Sequence, residues 1–321
     1  MKKMLNKKNI FTAVFVLALY GLIFALVQTG TLSRHFQSLL VPVGVNIILA
    51  VSLNLTVGFL GELTLGHAGF MSVGAYAGCL FTLNSTLPMA IAFPLGMLVG
   101  GLVAAVFGVI IGVPALRLKG DYLAIVTLAF GEIIRSVVTN LSFTGGAGGL
   151  KKIEKASNYT IVFIVAVIAV VIISNLVKSR HGRAICAIRD NVIAAESAGI
   201  NVVYYKLLAF TVAAFFAGVA GVLYGHNLGI LKPDTFDFNK SIEILVIVVL
   251  GGMGSIRGSI ISAVIVTVLP EVLRGMEDYR MLAYAVVLIA IMLLNASPRF
   301  AALKNRLFRK SGKKMKKGEV A

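Results

Sequence analysis

The sequence predicts an all-α, polytopic membrane bundle of about ten transmembrane helices, some of them broken or re-entrant. Three observations carry that prediction. Apolar residues make up 58% of the 321 residues and charged residues 13%, against about 45–50% and about 25% in soluble domains. Mean hydropathy is +0.94. The apolar residues gather in runs of about 20, the length that crosses a hydrocarbon core of about 30 Å. No water-soluble fold could bury that much apolar surface behind so few charges, and lipid is the remaining solvent. Length alone suggests about two soluble domains. A series of spans forms one continuous unit instead, so residues 1–321 read as a single transmembrane domain.

The runs are 10–28, 39–57, 68–84, 88–113, 121–141, 159–177, 207–229, 241–251, 255–271 and 281–297. Lys2, Lys3, Lys7 and Lys8 precede the first run, as they would a secretory signal. That run exceeds the about 7–15 residues of a signal core, and Gln28-Thr29-Gly30-Thr31 offers no small-residue cleavage site. An uncleaved first span is the better reading. Run 68–84 is glycine-rich, and 121–141 carries Glu132 and Arg135. Runs 241–251 and 255–271 are short and separated by Gly251-Gly252-Met253-Gly254. Eight crossings plus a re-entrant pair is the alternative.

Charge sidedness favours ten crossings. In that topology both termini and the 178–206 loop share one side, which receives 21 of the 30 Lys and Arg; the other side receives 8, and Arg135 lies within a span. Basic residues collect in the cytoplasm, so both tails, including the basic 299–321, and the 178–206 loop are expected there. The net charge of +17 follows from this arrangement and does not point to nucleic acid. Cys79 and Cys186 form no disulfide framework. The 33 glycines serve mostly to let membrane helices approach closely. Gly58, Gly61, Gly66, Gly69, Gly74 and Gly78 form a denser series, where broken backbone could line a cavity.

Ionisable residues inside spans are expensive and so are candidate sites. Glu132 and Arg135, three apart on one helix face, read as a structural pair. Glu243 and Glu271 lie at span ends and reach the interface. His67 has no second ligand nearby to suggest a metal, which leaves a local hydrogen bond. The cluster Gly145-Gly146-Ala147-Gly148-Gly149 lacks the Lys-Ser/Thr ending of a phosphate loop and reads as a flexible turn. No nucleotide site is evident, so any energy comes from another subunit or an ion gradient. The spans hold few carboxylates for protons or sodium.

The 178–206 loop is the most informative segment. Ile185, Ile188, Val192 and Ala195 recur at helical spacing, and Gly199 stands where a helix would stop. One amphipathic helix over 182–198 is expected. Its alternating charges, Arg183, Arg189, Asp190 and Glu196, suit a protein surface better than a lipid one. Arg189 and Glu196, seven apart, would share a face of that helix. Ala194 and Ala195 would let a partner approach closely.

Several segments together resemble the permease family of branched-chain amino-acid importers. They are GFLGELTLGHAGFMSVGAY (58–76), LRLKGDYLAIVTLAFGEIIR (116–135), TGGAGGL (144–150), HGRAICAIRDNVIAAESAGINVVYYKLLAF (181–210), and the pair KPDTFDFNKSI (232–242) and VVLGGMGSIRG (249–258). They fall in the family's order, and the likeness is to the second of its two paralogous permeases. Glu62 stands where the family more often has Gln, and Asp190 where Glu is common.

The resemblance implies an importer permease in a bacterial inner membrane that works by alternating access. The implied partners are a paralogous permease, two cytoplasmic ATP-binding subunits, an extracytoplasmic binding protein and membrane lipid, with no nucleic acid and no cofactor. Arg183, Arg189, Asp190, Ala194, Ala195, Glu196 and Gly199 would couple to the ATPase. Gly61, Glu62, Thr64, Gly66, His67, Gly251, Gly252 and Gly254 would belong to the translocation path. Related permeases carry urea, sugars or nucleosides. From a different class, an ion-coupled carrier would lack an ATPase partner, and a structural scaffold would not need broken, glycine-rich spans.

Overall fold

A computed structural model describes residues 20–29, 33–118 and 120–273, with isolated positions at 18, 285, 286, 289 and 293. Residues 10–17 and 19 of the expected first span, all but isolated positions of 281–297 and the whole 299–321 tail lie outside the described residues. Among the described residues, a helical stretch at 20–28 is followed by ten α-helices. They are α1 (Arg34–Asn54), α2 (His67–Asn84), α3 (Met89–Ala115), α4 (Asp121–Asn140), α5 (Tyr159–Lys178), α6 (Arg180–Asp190), α7 (Val192–Ser197), α8 (Val202–Leu228), α9 (Phe238–Gly251) and α10 (Ile256–Val272). Every expected span from 39 to 271 coincides with a helix, within a few residues at each end. The molecule is a helical membrane bundle.

The spans divide into centre and rim. Of the α1 span 78% is buried inside the protein and of α8 67%, against 39% of α3 and 22% each of α4 and α5. The rim helices turn apolar side chains outward; on α3 these include Leu98, Leu102, Val106 and Ile110, each more than half exposed. Such a face suits lipid tails, which compete with water no less well than a protein core does.

Glycine brings the centre together. A Cβ on Gly100 of α3 would lie 2.5 Å from the Gly74 carbonyl oxygen of α2, and one on Gly218 of α8 would lie 2.6 Å from the Gly100 oxygen. A Cβ on Gly74 would in turn run into the Gly218 Cα. Three helices therefore meet backbone to backbone, the arrangement that small residues permit in membranes. Gly69 meets Gly131 of α4 and Gly78 meets Gly96 of α3 in the same way, while Gly78 meets α8 through the Val222 side chain. The dense glycine series expected to line a cavity is thus, at Gly69, Gly74 and Gly78, a packing seam.

Two helices are broken. α1 runs on into a π-helical turn, Leu55–Leu60, which stops at Gly61 with φ 81°. Residues 61–66 then cross to α2 without regular structure. α9 and α10 form a hairpin: a Cβ on Gly251 would lie 2.6 Å from the Gly258 oxygen, and Ser262 Oγ donates to the Ile247 carbonyl at 2.5 Å. With 14 residues, α9 is about 21 Å long, short of a full crossing. The 145–149 cluster is a turn, but a pinned one. Leu150 and Leu231 exchange two backbone hydrogen bonds of 2.9 Å each, and Gly145 and Gly149 close against neighbouring backbone.

Candidate functional site

The 178–206 segment folds as two helices, not the single helix expected over 182–198. Asn191 is extended, φ −161° and ψ 109°, and its Oδ1 accepts the Ala194 N–H at 3.0 Å. Asparagine competes for backbone in this way and starts a new helix at its own position. Ser179 caps α6 by accepting from His181 and Gly182, and Asn201 caps α8 by accepting from Tyr204. α7 ends in a Schellman turn: Gly199 donates to Glu196 O at 2.9 Å and Ile200 to Ala195 O at 3.0 Å. Gly199, at φ 79°, supplies the left-handed residue that this turn requires.

The break redistributes the predicted residues. Arg189 and Glu196 no longer share a helix face, because Asn191 separates their helices. Ala195 faces inward at 3% exposure, so it is core and not contact surface. Ile185 and Ile188 anchor α6 beneath it, at 0% and 1%. Arg183, Asp190, Ala194, Glu196 and Gly199 are exposed, and Ile193 is the most open of the large apolar side chains there, at 77%. α7 is therefore a short, capped knuckle with Ile193 and Glu196 outward.

The irregular 61–66 segment is tied on every side. Glu62 forms a buried ion pair with Lys206 of α8, the two side chains 14% and 7% exposed. The Leu65 N–H donates to Thr127 Oγ1 of α4 at 3.0 Å, and the Ala68 N–H to Ser241 Oγ of α9 at 3.3 Å. His67 lies 2.9 Å from Ser52 Oγ of α1, the local hydrogen bond expected of it. Thr64 is buried, and Gly66 packs so tightly on α4 that a Cβ would lie 2.7 Å from Thr127 O. Non-helical backbone among membrane helices needs protein partners or a water-lined cavity. Here Thr127 of α4 meets the Leu65 N–H, and the Thr56 carbonyl of the π-turn accepts the Glu62 N–H at 3.0 Å.

The two breaks also touch each other. Asn54 Oδ1 accepts the Gly254 N–H at 2.8 Å, and Asn54 Nδ2 donates to Ser259 Oγ of α10 at 2.8 Å. Gly61, Gly251, Gly252 and Gly254 are at least partly exposed around this junction. Elsewhere, Arg135 pairs with Glu132 at 2.7 Å as expected, and with Asp234 at 3.4 Å, which was not. Glu243 pairs with Lys240 at 3.0 Å. Ser52, Asn54, Lys206, Ser241 and Ser259 lie outside the candidate residues that charge and spacing pick out. The available signal was a polar residue inside an apolar run, as at Ser52 and Asn54.

A multi-span bundle with two broken helices, an internally satisfied crossover and a capped knuckle has the architecture of a transport permease. The chain belongs to the family described as "Branched-chain amino acid transport system / permease component", which matches residues 36–296. It is 34% identical to the high-affinity branched-chain amino acid transport system permease protein LivM of Salmonella typhimurium, over 96% of this chain and 79% of that one, and equally so to LivM of Escherichia coli K12. LivH of Salmonella typhimurium is 29% identical over 42% of this chain and 44% of its own. The ribose import permease protein RbsC of Haemophilus influenzae is 26% identical over 81% of this chain and 84% of its own. No solved structure matches the chain.

Proposed function

We propose that the chain forms one half of the membrane path of a branched-chain amino-acid importer driven by ATP hydrolysis on separate subunits. A paralogous permease supplies the other half, an extracytoplasmic binding protein delivers the solute, and cytoplasmic ATPases dock on α6–α7. The whole chain acts as one translocation unit in a bacterial inner membrane, with both termini and residues 178–206 in the cytoplasm. The bias of 21 basic residues against 8 supports that sidedness. The LivM and LivH similarities support the substrate class and the paralogous partner.

The observation that carries this reading is the α7 knuckle. It is held from both ends by Asn191 and Gly199 and presents Ile193, Ala194 and Glu196 to a partner. An exposed aliphatic side chain on a rigid element, beside a small residue and a charge, is suited to seat in a partner's pocket. Ile193→Asp and Glu196→Lys are expected to insert normally and to lose ATPase association, by about tenfold or more for the anchor. Pull-down of the ATPase and uptake in membrane vesicles measure both effects. Wild-type association in both variants would end the docking reading.

A further inference from the structure

Arg189 was expected on the docking surface, and its side chain remains 39% exposed, yet it reaches back from the end of α6 to both breaks. Its aliphatic stem lies over Gly61, where a Cβ would be 2.7 Å from Arg189 Cγ. Its Nη1 donates to the Gly58 carbonyl oxygen in the π-turn at 3.2 Å, and also lies 3.5 Å from where a Gly254 Cβ would stand. Nε and Nη2 donate to Asp190 Oδ1 at 3.1 and 2.9 Å, which holds the guanidinium plane.

The chemistry at this point is specific. The Gly58 carbonyl lies in the last turn before Gly61, so it has no onward helical donor. The C-terminal end of a helix also carries partial negative charge, which favours a cation there. A guanidinium can serve that carbonyl with one N–H while others hold a carboxylate; a lysine ammonium presents a point charge in place of that planar fork. Room is scarce, because a Cβ on Gly58 would run into Asn54 Oδ1 and the Gly254 N–H. The α1 break, the α9–α10 turn and the end of α6 thus meet at one side chain.

We infer that Arg189 is a positioning residue that fastens α6 to both broken helices, so that displacement of the α6–α7 knuckle reaches them together. The inference rests on the docking reading of α7 but assigns Arg189 to the permease's interior linkage and not to the ATPase contact.

The test uses the complete transporter, with both permeases, the ATPase and the binding protein, in proteoliposomes. Arg189→Gln is expected to retain the ATPase in pull-down at the wild-type level and to lose about tenfold in solute transported per ATP hydrolysed, as a charged hydrogen bond is lost. Arg189→Lys, which keeps the stem and charge, is expected to restore part of that ratio. Release of the ATPase by Arg189→Gln would make Arg189 a docking residue and overturn the inference. Wild-type transport per ATP in both variants would overturn it equally. Should Arg189→Gln fail to assemble, Arg189→Lys decides by the same ratio and the same pull-down. Failure of the docking reading is seen separately, as retention of the ATPase by Ile193→Asp and Glu196→Lys.

Discussion

The contact of α2, α3 and α8 and the junction of α1, residues 61–66 and the α9–α10 turn both bring backbone against backbone inside a membrane. They do so by opposite means. At the first, Gly74, Gly100 and Gly218 remove side chains altogether, and intact helices touch. At the second, the helices are interrupted, Asn54, Thr127, Ser241 and Arg189 satisfy freed backbone groups, and the Glu62–Lys206 pair ties the crossover to α8. Close packing of this kind resists gradual deformation. Polar contacts can be exchanged for others with little loss when a second acceptor or water replaces the first. The contrast predicts that the glycine seam stays in place during transport and that the polar junction rearranges.

Three tests break or sharpen this contrast. Gly74→Leu should have the largest effect, since its Cβ meets the backbone of another helix and not a flexible side chain. Its penalty should exceed the about 1–3 kcal/mol of ordinary overpacking. The expected result is no assembled protein, seen as loss of the permease peak on size exclusion after membrane extraction. Lys206→Met comes next. It leaves Glu62 buried without its partner, at a cost of about 3–5 kcal/mol, and should lower the unfolding temperature in detergent. Adding Glu62→Gln should recover much of that loss, because no uncompensated charge then remains. Equal destabilisation of the single and double variants would show that the charges themselves are immaterial there.

Gly252→Leu should perturb stability least. Gly252 has open space around its Cβ position, and only its φ of 87° opposes a side chain, a strain of about 1–2 kcal/mol. The variant should assemble, yet import poorly, because the turn it stiffens sits at the polar junction. Wild-type uptake in vesicles would place that turn with the static seam.

The bundle was legible because lipid imposes run lengths that survive in the sequence. Helix ends from 39 to 271 were found by counting apolar residues, and Glu132–Arg135 by helical spacing. The junction was not legible, because its partners are remote: Asn54 and Gly254 are 200 residues apart, and Glu62 and Lys206 are 144 apart. No periodicity connects them. The misread coupling helix is a different case. Hydrophobic spacing continues smoothly across Asn191, and only its capping tendency marked the break. Period outweighed a single residue at the break. It did group Ala195 with Ile185 and Ile188, which are buried with it, whereas small size and the family resemblance assigned Ala195 to the partner surface.

The meeting of Gly74, Gly100 and Gly218 also bears on how such a chain can drift. When a side chain grows in an ordinary core, a neighbour can shrink and restore the fit. Ala104 and Val222 beside the trio could shrink, but within it each backbone meets another glycine, and nothing smaller exists to exchange for that. No second-site change within the trio can suppress the first. Mutational paths through these three positions end where they begin, however freely the lipid-facing residues of the same helices vary.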